Sequence, residues 1–167
     1  MRQIAIALAF LCCLSQYALP AAADQNDERL EELFVKLQGT EDFEQARRTE
    51  IAIWQIWSTS DDDAVNTLMF EGTTAMTRRD LRRALRYFDQ VVTIAPDFSE
   101  GWNKRATLNY LIGDYEASLA DIDETLALEP RHFGALAGRG LVLMAQDRKE
   151  KALTAFEEAL VIHPHLI

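Results

Sequence analysis

Apolar and small residues recur along this chain on two spacings at once: a short helical one, and a long one of 34 residues. Pro96, Pro130 and Pro164 mark the long spacing. Aligned on it, the sequence divides into blocks 65–98, 99–132 and 133–167. Gly72, Ala106 and Gly140 then share a small-residue column, and Ala84, Ser118 and Ala152 share another. Leu85, Leu119 and Leu153 align, as do Phe88, Ile122 and Phe156, while Ile94, Leu128 and Ile162 each stand two residues before a proline.

Each block reads as two amphipathic helices joined by a tight turn. In the second block the pattern predicts helices over 102–112 and 115–128, with Gly113-Asp114 between them. Glycine suits a helix end because it takes positive φ at little cost. Pro130 follows a helix that it cannot extend. The small columns let paired helices cross closely, so a bulkier side chain at Gly140 or Ala152 would cost about 1–3 kcal/mol in overpacking. A single hairpin leaves an apolar face uncovered, so the blocks must stack. The prediction is an all-α solenoid of three full repeats.

Upstream, Leu30, Leu33, Phe34 and Leu37 lie on one helical face. Gly39-Thr40 reads as a turn, and Phe43, Ala46, Ile53, Trp54 and Trp57 form a second stripe. Residues 24–63 are thus expected to hold a degenerate hairpin over 28–59 that caps the array, with Trp54 and Trp57 in the core. Ser60-Asp61-Asp62-Asp63 suits the cap of the next helix.

The first 23 residues carry a different pattern. Arg2 precedes an apolar run over 4–14, then Pro20 and Ala21-Ala22-Ala23. That order is expected of a secretory signal peptide, and it places the protein in the periplasm, or outside a cell that lacks an outer membrane. An uncleaved anchor is the alternative, although a span needs roughly 20 apolar residues. Cleavage after Ala23 removes Cys12 and Cys13, the only cysteines. The remaining chain then has no disulfide, thiolate metal ligand or cysteine nucleophile. The formal charge of −10 opposes binding to nucleic acid backbones and anionic lipid.

Candidate chemistry is sparse. No phosphate-binding glycine loop, nucleophile elbow or His-Glu-x-x-His is present. No cofactor and no metal are expected: His163 and His165 flank Pro164 without a third ligand, and they read with His132 as turn residues. Arg78, Arg82 and Arg86 recur every four residues, a basic stripe suited to phosphate, carboxylate or an acidic helix. The same stripe also reads as a solvated surface. At the end of the last block no further helix is expected over Phe156, Ala159, Leu160 and Ile162, which makes Phe156, Leu160 and Ile162 a candidate contact face.

A period of 34 with these columns resembles the tetratricopeptide-repeat (TPR) family, firmly over 65–164 and loosely over 28–59. Leu68 and Leu136 stand where the second block has Trp102, Arg105 and Arg139 replace a common leucine, and the third turn is Asp147-Arg148. The stretches 95–106 (APDFSEGWNKRA), 128–136 (LEPRHFGAL) and 162–165 (IHPH) also resemble small exported alphaproteobacterial TPR proteins of the cell envelope. The resemblance implies a groove lined by the first helix of each repeat. Asn66, Met69, Phe70, Thr73 and Met76 would line it from the first block. Asn103, Lys104, Thr107 and Tyr110 would follow, then Ala137, Leu141 and Met144. Only Asn103 and Lys104 fit the columns with which related domains grip a C-terminal carboxylate, so such a clamp is not expected. The resemblance implies a non-catalytic scaffold for a protein partner of the envelope. A self-assembling structural subunit is the alternative, and an enzyme with an unrecognised site a remote one.

Overall fold

The structure is a computed structural model that describes residues 24–166. The expected signal peptide and Ile167 lie outside the described residues. Among those residues the chain is all-α, with eight helices: α1 Arg29–Gly39, α2 Phe43–Trp57, α3 Asp63–Thr77, α4 Leu81–Ile94, α5 Ser99–Ile112, α6 Tyr115–Leu128, α7 Phe133–Ala145 and α8 Lys149–Ile162.

Polar residues at the helix starts explain most of these boundaries. Asp42, Asp62, Asp80 and Asp114 each accept a backbone N–H of the helix that follows, and the His132 ring does the same for Ala135. Such caps satisfy donors that would otherwise lack partners. The first block helices end on one left-handed residue each. Gly113 has φ 83°, and the same column holds Arg79 at 61° and Asp147 at 58°. The backbone therefore turns identically in all three repeats, although only one turn carries the glycine that favours it.

Within each repeat the two helices pack through a matched pair. A methyl group placed on Gly72 would lie 2.6 Å from the Phe88 ring, and one on Gly140 would collide with Phe156. In the middle repeat the pair is Ala106 and Ile122, both buried. Phenylalanine thus faces glycine and isoleucine faces alanine. The first helices α3, α5 and α7 approach one another more closely than α4, α6 and α8 do, so the array curves with α3, α5 and α7 on its inner face.

The hairpin α1–α2 does not lie end-on against the first repeat as a cap. It runs along the edge where each second helix passes to the next first helix. Gln25 bonds the Asp97 carbonyl and the Ser99 N–H, Arg131 pairs with Glu31 at 2.9 Å, and His165 meets the Thr40 carbonyl at 2.8 Å. Its apolar face closes on Phe133, Ile162 and Leu166. The amphipathic stripes marked this face as buried; the surface that receives it lies 70 to 130 residues further along the chain.

Candidate functional site

The inner face holds two different environments. One is a buried polar node at the starts of α5 and α7. Glu100 is fully buried. Its Oε2 accepts from Asn103 Nδ2 at 2.8 Å and meets His132 Nε2 at 3.1 Å, while Lys104 Nζ lies 2.9 Å from Oε1. Burial pushes the Glu100 carboxyl up, but Lys104 and His132 together outweigh it and hold the group below its ordinary value of 4.5. Because His132 Nδ1 accepts the Ala135 N–H, the Nε2–H is the donor to Glu100 in the neutral ring.

The hairpin seals this node. Trp57 stacks on His132 with centroids 4.1 Å apart and planes 10° apart, and Trp54 meets His132 edge-on. Lys104 Nζ also sits 5.8 Å from the Trp54 ring. Asn103 and Lys104, expected in an open groove, are therefore committed to an internal network. Asn66 is committed too, donating to the Ser60 carbonyl and accepting from its N–H, and Met69 is buried.

The second environment is open. Between α5 and α7 lies a hollow of about 60 Å³ lined by Thr107, Tyr110, Gly138 and Leu141 and floored by Ala106 and Ile122. Leu141 and Met144 are about half exposed, Tyr110 is half-buried, and Thr107 is exposed with its hydroxyl donating to the Asn103 carbonyl. Phe70 is 69% exposed and Thr73 is exposed on α3. Met76 and Ala137 are half-buried. The structure thus gathers Thr107, Tyr110 and Leu141 around one seat, with Met144 exposed further along α7.

Arg78, Arg82 and Arg86 are exposed, and among the described residues no carboxylate pairs with them. Their neighbour Arg83 instead lies 3.9 Å from Glu71 and bonds the Tyr87 hydroxyl. The expected contact face on α8 is divided. Phe156 is half-buried against Gly140, Ala159 is buried, and Ile162 packs into the hairpin cluster, which leaves Leu160 exposed with Leu153 and Val161. Among the described residues no group of three His, Cys, Asp or Glu could hold a metal ion, and no helix is long and apolar enough to cross a membrane.

The Glu100 node escapes sequence reading because a glutamate one position into a helix looks solvated. Its one signal is the column: Asn66 and Gly134 stand where Glu100 does, so its charge is particular to the middle repeat.

Comparison with known proteins agrees with this architecture. The family model described as tetratricopeptide repeat matches residues 71–123 and 112–166. A TPR repeat-containing protein of Rhizobium etli is 35% identical over 86% of this chain and 70% of its own length. Among solved structures, the TPR2B domain of yeast Sti1 in a complex with pHsp70 has a TM-score of 0.57 at 18% identity, covering 59% of this chain and 78% of that one. YrrB, described as a TPR protein with an unusual peptide-binding site, has a TM-score of 0.57 at 19% identity, covering 84% and 66%. At such identities the two structures attest the fold alone. On the repeat match and the Rhizobium relative, this chain belongs to the tetratricopeptide-repeat family.

Proposed function

We propose that the protein is a non-catalytic scaffold that takes a segment of a partner protein onto its inner face, centred on the seat between α5 and α7. The observation that carries this reading is the pair of side chains left open there, Tyr110 and Leu141 around a hollow sized for one small side chain, with Met144 exposed on the same helix as Leu141. Methionine and tyrosine adapt to varied apolar partners. The charge of Lys104 is already answered by Glu100, so the seat offers no free cation to a terminal carboxylate. A neutral, internal segment fits it better. The Sti1 domain and YrrB, whose descriptions speak of a complex and of a peptide-binding site, support binding as the general use of such a face.

The basic start, apolar run and alanine triplet of 1–23 support export, and with it a partner in the cell envelope. The test is photo-crosslinking from position 110 in living cells, with N-terminal sequencing of the captured protein. The expected product begins near Asp24 and carries a crosslinked envelope protein. Tyr110→Ala with Leu141→Glu should keep far-UV helicity and weaken that partner's binding at least about tenfold, or ~1.4 kcal/mol. Unchanged affinity would remove the seat from the reading, and an intact Met1 would remove cleavage of a signal peptide.

A further inference from the structure

The two seams between repeats are closed by the same side chains in the same columns. Arg105 of α5 reaches back to Asp89 of α4 at 3.0 Å, and Arg139 of α7 reaches back to Asp123 of α6 at 2.7 Å. Apolar residues flank each acid. Leu85 packs against the cluster that includes Leu108 of α5, and Leu119 packs against the cluster that includes Leu143 of α7. Val92 is buried, and Leu126 packs against the cluster that includes Ala135 and Val142 of α7. Each second helix thus presents leucine, acid and an aliphatic residue to the helix that follows, which answers with arginine.

The third repeat carries the same triplet. Leu153, Glu157 and Leu160 occupy the columns of Leu119, Asp123 and Leu126. Here Leu153 is 59% and Leu160 44% exposed. Glu157 is exposed, and among the described residues no cation pairs with it. Val161 is exposed as well, but its column mates Thr93 and Ala127 are exposed in every repeat, so it is not part of a seam. The hairpin reaches α8 only at its far end, where Gln38 donates to the Val161 carbonyl.

We propose that Leu153, Glu157 and Leu160 form a docking surface for an arginine-bearing helix of a partner protein, separate from the inner-face seat. The internal seams specify that helix. Arg105 and Arg139 reach back across them, and the sequence sets Trp102 and Asn109 about the first and Leu136 and Leu143 about the second at the same offsets. The signature is a large apolar residue, an arginine three positions later, and an uncharged residue four beyond that. A second copy stacked in register does not meet it. Its α3 offers Leu68 and Ala75 in the flanking columns but Glu71 in place of the arginine, and Glu71 would face Glu157 as a like charge. This inference stands on the seam columns alone and does not depend on the inner-face reading.

The probe is a labelled synthetic peptide with the sequence of α7, residues 133–145, which carries Leu136, Arg139 and Leu143, titrated into the full protein by fluorescence anisotropy. It should bind saturably. Glu157→Arg in the protein should weaken binding about threefold, in keeping with a partly exposed pair, and a probe with Arg139→Glu should restore it. Leu160→Glu should abolish binding without loss of far-UV helicity, and Tyr110→Ala should leave it unchanged. Absence of saturation up to about 1 mM, a affinity scale well below useful recognition, would overturn the proposal. So would binding indifferent to both Leu160→Glu and Glu157→Arg. Sedimentation that shows a wild-type dimer lost in Leu160→Glu would also overturn it, since the occupant would then be a second copy.

Discussion

Replacing Gly72 by alanine tests whether side-chain pairs set the spacing of the helices within each repeat. The added methyl would stand 2.6, 2.9 and 3.0 Å from three atoms of the Phe88 ring. Phe88 is completely buried, so the ring has no solvent to move into. Overpacking of this kind costs about 1–3 kcal/mol. Alanine in place of a helical glycine returns about 1 kcal/mol of helix propensity. The net expectation is a loss of up to about 2 kcal/mol. Phe88→Ile alone leaves a void and should cost about 1–2 kcal/mol. Combining the two reproduces the Ala106–Ile122 pair of the middle repeat. The double variant should therefore be no less stable than Phe88→Ile, and a double-mutant cycle should show a favourable coupling of about 1–2 kcal/mol. At Gly140 the same substitution should cost less, because Phe156 is only half-buried and can swing outward. Urea titration followed by circular dichroism reads all four species. Strict additivity of Gly72→Ala and Phe88→Ile would refute the pairing argument.

Two further predictions concern strain and charge. Arg79→Gly should raise stability by about 0.5 kcal/mol, since relief of a left-handed non-glycine residue, roughly 1–2 kcal/mol, exceeds the added freedom of the unfolded chain; Asp147→Gly should do the same, and a fall in melting temperature for both would contradict it. Glu100, held below its ordinary value of 4.5, contributes stability that is complete above about pH 4.5 and is lost as pH falls further through its folded value. Glu100→Gln should flatten that part of the stability–pH curve and cost about 3–5 kcal/mol at pH 7, whereas an unchanged acid limb would show that the node is not the sensor.

The solenoid was legible because its signals are local and repeated. Gly113, the prolines and the small columns each state a backbone requirement at a fixed offset. Arg79 and Asp147 adopt the same left-handed turn, yet only the repeat register marks them, because neither residue type advertises positive φ. The destination of α1–α2 was hidden for a different reason. Trp54 and Trp57 declare that a face must be buried, and a hydrophobic stripe does not name what buries it. Asn103 and Lys104 stood in the right columns for an open groove, but Glu100 and the overlying tryptophans claim them, and that depends on three distant segments meeting. Arg105 and Arg139 looked like departures from a leucine pattern. Their partners, sixteen residues earlier, turn both departures into one rule.

An array of stacked hairpins ordinarily has only neighbour contacts, so it can fray from either end one repeat at a time. The hairpin along the edge changes the kinetics and cooperativity of this one. Gln25 contacts Asp97, Glu31 contacts Arg131 and Thr40 contacts His165, separations of 72, 100 and 125 residues. Loops of that size close slowly and raise the contact order. The hairpin is made well before Phe133, Ile162 and Leu166, against which it packs. Its docking is therefore a late event, and once it has closed, the last repeat cannot detach without also releasing the beginning of the chain.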